Sequence, residues 1–179
     1  YSWPRDADAT HNLYSCSKSV TSALIGIAID KGYIKDVDQP VLDFFPQRIA
    51  QNLDADKKAM NLEHVLAMNT GLECRDNYRY HWKGLTQMKM SPDWVQYMID
   101  LPVAQAPGTD FEYCNGATFL LSAILQQQTG MSALTFAEKN LFAPLGITDY
   151  SWQSNAREIT LGYSRLYMQP RDMAKIGYL

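Results

Sequence analysis

The chain has 179 residues, 46% of them apolar and 20% charged, and this composition excludes an intrinsically disordered tail or a fibrous repeat. A formal net charge of −3, with no lysine- or arginine-rich stripe, excludes the electrostatic footprint of a nucleic-acid-binding protein. The apolar runs are too short for a membrane span.

The first predicted element is a helix from about Ser15 to Lys31, which Gly32 would end. The residues of its apolar stripe are Val20, Leu24, Ile27 and Ala28. A second helix is predicted over about Leu62 to Met68, with Asn61 as its candidate cap.

The stretch from Glu73 to Met90 is predicted to be a loop rich in aromatic residues. The sequence Ser91-Pro92-Asp93 then predicts a helix start, with a cap, a proline in the first turn and an acid near the positive helix end. A strongly apolar helix is predicted from Gly116 to Thr129, and another near Leu134 to Leu141.

Pro170 opens a last predicted helix, which the chain leaves unfinished at Leu179. Strand signals are sparse, so most of the chain is predicted to be a helical layer whose sheet lies largely outside it. We therefore expect residues 1–179 to be one partial domain, truncated at both ends.

Cysteine and histidine spacing gives no support for metal chemistry. Cys16, Cys74 and Cys114 form no CxxC and cannot all pair with one another. The three histidines make no HExxH or other ligand spacing, so no metal site is expected. Cys16 and Cys114 are interpreted as small apolar side chains rather than as reactive thiols.

The residues Ser15-Cys16-Ser17-Lys18 form an S-x-x-K pattern at the first turn of a helix. Residues three apart share a helix face, so the Lys18 ammonium group can reach the Ser15 hydroxyl. The positive helix end and burial both disfavour a charged lysine there and can make it a base. The alternative interpretation is a capping serine followed by a solvated lysine, and the motif alone does not decide between them.

A second pattern, Tyr113-Cys114-Asn115, directly precedes the apolar helix. A tyrosine there can relay a proton to a leaving group, and an asparagine amide can hold a substrate carbonyl. The alternative is a core tyrosine followed by an asparagine helix cap, and both roles are compatible for Asn115.

Together these motifs resemble the serine β-lactamase and penicillin-binding protein family, in particular its branch of class C β-lactamases, DD-peptidases and related esterases. Three further segments resemble that family in family order: Met68-Asn69-Thr70-Gly71-Leu72, Pro144-Leu145-Gly146-Ile147 and Pro170-Arg171-Asp172-Met173-Ala174. The third family motif, a K-T-G-like triplet, does not follow Tyr113.

The resemblance implies an α+β fold of the β-lactamase/transpeptidase type, of which this chain covers mainly the helical part and lacks the C-terminal strands. It implies a serine hydrolase in which Ser15 is acylated, Lys18 and Tyr113 handle the proton and Asn115 binds substrate, and this mechanism needs no metal or organic cofactor. The expected substrate is a small amide or ester, of esterase, D-peptidase or β-lactamase type, with a periplasmic or exported location.

Two other functions stay open at this point. A penicillin-sensing binding module would be acylated without turnover, and a retired scaffold would keep the fold for self-assembly. The presence of Ser15, Lys18, Tyr113 and Asn115 together argues against the scaffold. Oligomeric state is not predicted by the sequence.

Overall fold

The structure, a computed structural model, describes residue 6 and residues 8–179 as a helical layer beside a small three-stranded sheet. The helices are α1 (Ser17–Asp30), α2 (Ala55–Ala59), α3 (Leu62–Leu66), α4 (Lys83–Met90), α5 (Trp94–Asp100), α6 (Asn115–Thr129), α7 (Ala133–Ala137) and α8 (Pro170–Gly177). The strands are β1 (His11–Asn12), β2 (Tyr150–Trp152) and β3 (Leu166–Met168). Among the described residues, no helix has the length and apolar character needed to span a membrane.

Helix α6 is the centre of the core. All of its residues from 115 to 125 are buried, which is the pattern of a helix surrounded by protein on every side. Helices α1, α3 and α5 pack against it. Its close approach to α5 depends on Gly116, because a Cβ atom there would lie 2.1 Å from the Met98 sulfur.

The sheet fixes the chain immediately before α1. Strand β3 lies between β1 and β2 and is antiparallel to both, with His11 and Tyr150 each opposite Met168. The Leu13 N–H donates to the Leu166 carbonyl at 2.8 Å. The entry into α1 is therefore anchored to a segment more than 150 residues later in the chain.

Most predicted helices are confirmed, but the prediction of a loop over Glu73 to Met90 is wrong, because α4 occupies its second half. This helix follows Trp82, which has left-handed backbone geometry (φ 56°) and makes no capping hydrogen bond. It thus lacks the start signals by which helices are recognised in sequence. Buried Met88 and partly buried Leu85 hold α4 against the core.

The predicted start of α5 needs a correction. Its cap is Asp93, whose carboxylate accepts from the N–H groups of Val95 and Gln96 at 3.1 Å each. Pro92 therefore precedes the cap instead of occupying the first helical position. Ser91 ends α4, where its hydroxyl donates to the Met88 carbonyl.

Lys57, in the short helix α2, is fully buried. Its ammonium group donates to three main-chain carbonyls, those of Gln51, Ile99 and Leu101. Two of these lie at the carboxyl end of α5, where backbone carbonyls lack partners within the helix. A single cation thus satisfies three buried acceptors and ties α2 to α5, although burial lowers the pKa of Lys57.

Replacing Lys57 with alanine should therefore lower the free energy of unfolding by about 3 kcal/mol, because the change leaves a cavity and unpaired buried carbonyls. Chemical denaturation measures the loss. Lys58→Ala, at the exposed neighbouring position of the same helix, is the matched control and should change stability by less than about 0.5 kcal/mol. Equal losses in the two variants would show that the carbonyl cluster does not depend on the buried cation.

Cys74 and Cys114 form a disulfide, with Cα atoms 5.8 Å apart. The interpretation of Cys114 as a small apolar side chain is therefore wrong, and Cys16 does not fit that interpretation either, because it is free and exposed. Three cysteines allow three pairings, so the sequence by itself could not identify this one. The disulfide joins the segment before α4 to the residue that caps α6.

Removing this disulfide in a Cys74→Ser, Cys114→Ser double variant should lower the free energy of unfolding by about 2–4 kcal/mol, since the bond closes a loop of 40 residues. The same test can be made on the wild-type chain by comparing its thermal unfolding transition with and without reductant. Cys16→Ser is the control and should leave the transition where it is. Insensitivity of the transition to reductant would contradict the assigned pairing.

Candidate active site

Ser15 lies in a 3-10 turn, Tyr14–Cys16, that leads directly into α1. Tyr14 adopts left-handed geometry (φ 47°), and its N–H donates to the Asn12 side chain at 2.9 Å. The Ser17 hydroxyl donates to the Tyr14 carbonyl at 2.7 Å. These local bonds hold the turn so that the exposed Ser15 side chain stands at the positive end of a 14-residue helix.

Lys18 lies one turn further along, with its Nζ 3.3 Å from the Ser15 Oγ. The Lys18 ammonium also donates to the Asn115 Oδ1 and to the Tyr163 carbonyl, both at 2.8 Å. Burial lowers the pKa of Lys18, and this effect outweighs the opposing influence of Tyr113 and Asp76. More of the lysine is therefore neutral at a given pH than in a solvated side chain.

Tyr113 approaches the same hydroxyl from the segment before α6. Its phenolic oxygen lies 2.7 Å from the Ser15 Oγ, and the Lys18 Nζ lies 4.9 Å from its ring centroid. The Trp82 ring packs edge-on against it at 6.2 Å, with an interplanar angle of 77°. The disulfide at Cys114 restrains the adjacent backbone.

Asn115 is buried and is the first residue of α6. The helix cap is Cys114, whose sulfur accepts from the Ala117 N–H at 3.3 Å, so the capping role considered for Asn115 is wrong. The Asn115 side chain is instead directed to Lys18. The four predicted residues Ser15, Lys18, Tyr113 and Asn115 thus lie together, in one hydrogen-bonded group.

Two members of this group escape sequence-based prediction. One is the Tyr163 main-chain carbonyl, since a backbone acceptor has no residue signature. It is placed by Gly162, at which a Cβ atom would lie 2.3 Å from the Ser122 Oγ and 2.8 Å from the Thr21 Oγ1. The other is Asp76, a buried carboxylate that accepts from the Asn115 N–H at 2.7 Å.

Ser15 and Asn115 border an open cavity of about 640 Å³. Its other lining residues include Trp94, Tyr163, Lys89 and Arg165. No group of three or more histidine, cysteine, aspartate or glutamate side chains is arranged to hold a metal ion within residue 6 and residues 8–179.

This arrangement has the elements of an activated nucleophile. A serine hydroxyl lies within hydrogen-bonding distance of a tyrosine oxygen and a lysine nitrogen whose pKa is lowered. The serine itself lines a cavity of a size that accommodates a small molecule. The geometry is therefore suited to acyl transfer.

Comparison with known proteins identifies relatives along the whole chain. The model of the beta-lactamase family matches residues 1–178. A 6-aminohexanoate-dimer hydrolase of Paenarthrobacter ureafaciens is 24% identical, over 95% of this chain and 45% of its own length. A beta-lactamase of Escherichia coli K12 is 27% identical, over 78% of this chain and 34% of its own length.

Solved structures give the same result for the fold. A penicillin-binding protein from Bacillus halodurans superposes with a TM-score of 0.76 at 16% identity, over 97% of this chain and 60% of its own. A beta-lactamase/D-alanine carboxypeptidase from Yersinia pestis superposes with a TM-score of 0.70 at 20% identity, over 94% of this chain and 52% of its own.

The chain spans less than half the length of these curated relatives and somewhat more than half of these two structures. Its fold is part of a β-lactamase/transpeptidase-like α+β fold, mostly its helical portion, as the sequence predicted. The family match covers nearly every residue, and on this basis the chain belongs to the beta-lactamase family.

Proposed function

We propose that this chain carries the nucleophile of a serine hydrolase that forms an acyl-enzyme on Ser15 with a small amide or ester. The observation that carries the proposal is the convergence of the Tyr113 oxygen, at 2.7 Å, and the Lys18 nitrogen, at 3.3 Å, on the Ser15 hydroxyl. Hydrolase activity of the beta-lactamase type is the activity of the family as a whole.

In the first step the proton leaves the Ser15 Oγ for the Lys18 Nζ, with Tyr113 assisting, as the Oγ bonds to the carbonyl carbon. The Ser15 N–H, at the helix start, donates to the developing oxyanion. The proton then passes through Tyr113 to the leaving group as its bond to carbon breaks. Water hydrolyses the ester on Ser15 and restores the hydroxyl.

Asn115 is assigned to substrate binding. Its Oδ1 is engaged by Lys18, which orients the amide and leaves its N–H donors for a substrate carbonyl. The side chain would thus couple substrate position to the position of the general base.

Residues 1–179 are proposed to form a partial domain of a longer protein. The shares of the relatives' lengths that the chain spans support this. The second oxyanion donor and the substrate-carboxylate contact would then come from a K-T-G-like strand outside the chain. The chain by itself would therefore turn over poorly, and the experiments below use the full-length protein.

The test is intact-mass spectrometry of the full-length protein after exposure to a β-lactam and, separately, to an activated ester. We expect a mass gain of one acyl group that depends on Ser15 and decays with product release, because the ester on Ser15 is open to water. Ser15→Ala should abolish this gain.

Cys16 makes a specific control necessary, because it is an exposed free thiol beside the proposed nucleophile. Cys16→Ala should keep the full adduct, whereas acylation of the thiol would disappear in that variant. A Ser15 adduct that persists would replace the hydrolase with the penicillin-sensing alternative. Folded protein that is modified by neither reagent would overturn the proposal.

Removing the proposed base should slow the reaction without unfolding the protein. Lys18→Met should lower kcat/KM for the ester by about 10²–10⁴, the usual contribution of a positioned general base.

In the wild type, kcat/KM should rise with pH as Lys18 loses its proton, at a pH below the ordinary lysine value because burial lowers this pKa. The exposed Lys31 lies just beyond the other end of α1, and Lys31→Met is the matched control. A Lys18→Met profile identical to that of the wild type would exclude lysine as the base.

A further inference from the structure

Asp76 is a buried acidic side chain beside the proposed catalytic group. It has 0% exposure and lies two residues after the disulfide cysteine Cys74. One carboxylate oxygen accepts from the Asn115 N–H at 2.7 Å, and the other accepts from the Leu85 N–H at 3.3 Å. The carboxylate thus connects the first residue of α6 to α4.

Asn115 connects Asp76 with Lys18. Its backbone N–H donates to the carboxylate, while its side-chain Oδ1 accepts from the Lys18 ammonium at 2.8 Å. The anion and the cation therefore bind opposite ends of one buried residue. If the hydrogen bond between Asp76 and the Asn115 N–H shifts, the Asn115 Oδ1 moves with it, and this oxygen is an acceptor that positions Lys18.

Few of the charged and titratable groups around Lys18 and Asp76 can carry a negative charge. Lys18 faces the phenol of Tyr113, the thiol of Cys16 and the carboxylate of Asp76. Asp76 interacts electrostatically with Lys18. Burial, with a smaller contribution from the Asp76 charge, raises the pKa values of Tyr97 and Tyr163, that of Tyr163 to about 12. Among these groups, Asp76 is the carboxylate that can offset a positive charge on Lys18.

This position is costly for an aspartate. Burial raises the pKa of Asp76, against the opposing hydrogen bonds from Asn115 and Leu85 and the charge of Lys18. An asparagine would offer the same carbonyl-type acceptor to the Asn115 N–H without a buried charge. If bonding to that N–H were the whole role of residue 76, the neutral side chain would stabilise the fold better.

We propose that Asp76 is a positioning residue of this site, whose negative charge, transmitted beside Asn115, stabilises the ammonium form of Lys18 as Ser15 is deprotonated. The inference rests on the proposed function. The proton moves from the Ser15 Oγ to the Lys18 Nζ and later to the leaving group, while Asp76 exchanges no proton. Its charge offsets the new cation in the transition state and its hydrogen bond keeps Asn115 in place.

The test is the pH dependence of kcat and kcat/KM for an activated ester, in the full-length wild type and in Asp76→Asn and Asp76→Glu. Asp76→Asn should lower kcat at least 10-fold. It should also move the acidic limb of the profile to lower pH by about one unit, because a nearby buried anion raises the pKa of a lysine. Asp76→Glu retains the charge and should keep the limb within a few tenths of a unit of the wild type. Asp110→Asn, which removes an exposed acid, is the matched control.

Stability gives an independent reading of the same variant. Because the folded pKa of Asp76 is raised, its contribution to stability is present at low pH and is lost as pH rises from about 4, its unfolded value, through the folded one. Asp76→Asn lacks this loss but gives up the acceptor for the Leu85 N–H, so its melting temperature should rise relative to that of the wild type between pH 4 and pH 8. A variant that is slower but no less stable distinguishes a charge effect from misfolding. If Asp76→Asn is less stable and the acidic limb of its pH–rate profile is unshifted, the inference is overturned.

Direct titration of Lys18 by NMR separates this inference from the proposed function. In the Ser15→Ala protein, which cannot form the acyl-enzyme, adding Asp76→Asn should lower the pKa of Lys18. If that pKa falls while the wild-type protein shows no acylation of Ser15, the electrostatic coupling stands and the proposed hydrolase fails. If the pKa of Lys18 is unchanged, the coupling fails even where acylation is observed.

Discussion

The partial burial of the Lys18 ammonium organises the proposed site. A buried cation requires acceptors, and Lys18 takes them from two segments distant in sequence: the start of α6, through Asn115, and the Tyr163 carbonyl. Satisfying one charge therefore brings three parts of the chain together around Ser15. The tight packing of Gly162 against Thr21 of α1 and Ser122 of α6 is what allows these segments to approach closely enough.

This arrangement has a cost in stability that the rest of the fold offsets. Asp76 is buried and Lys18 is partly buried, and burial disfavours the charged form of each. The surrounding structure is correspondingly rigid: α6 is buried over its first eleven residues, and a disulfide fixes the residue between Tyr113 and Asn115. Such a supporting shell holds catalytic groups in place when their own energetics would favour relaxation.

The sequence was sufficient to predict contacts between residues close in the chain, and insufficient to predict those that tertiary packing determines. The spacing of Ser15 and Lys18 on one helix face predicted their contact, and the motif at Tyr113 and Asn115 extended that prediction by family resemblance. No local sequence pattern distinguishes Asp76 from the other acidic residues of the chain. Its burial depends on contacts with α4 and α6, which lie elsewhere in the sequence. The disulfide partner of Cys114 and the uncapped start of α4 were missed for the same reason: tertiary contacts determine them.

The same division between local and tertiary contacts separates the position of Ser15 and Lys18 from the protonation of Lys18. The proposed nucleophile and base lie three residues apart, across the 3-10 turn that leads into α1, so their spacing is set locally. The groups that set the charge on the proposed base come from later segments of the chain, which reach Lys18 through tertiary contacts around α6. The spacing of the proposed reactive pair is thus local, while its protonation depends on tertiary contacts. Changes at Asn115 or Asp76 can therefore tune the pH dependence of the proposed base, while the bonds that hold Ser15, from Asn12 and from β3, stay in place.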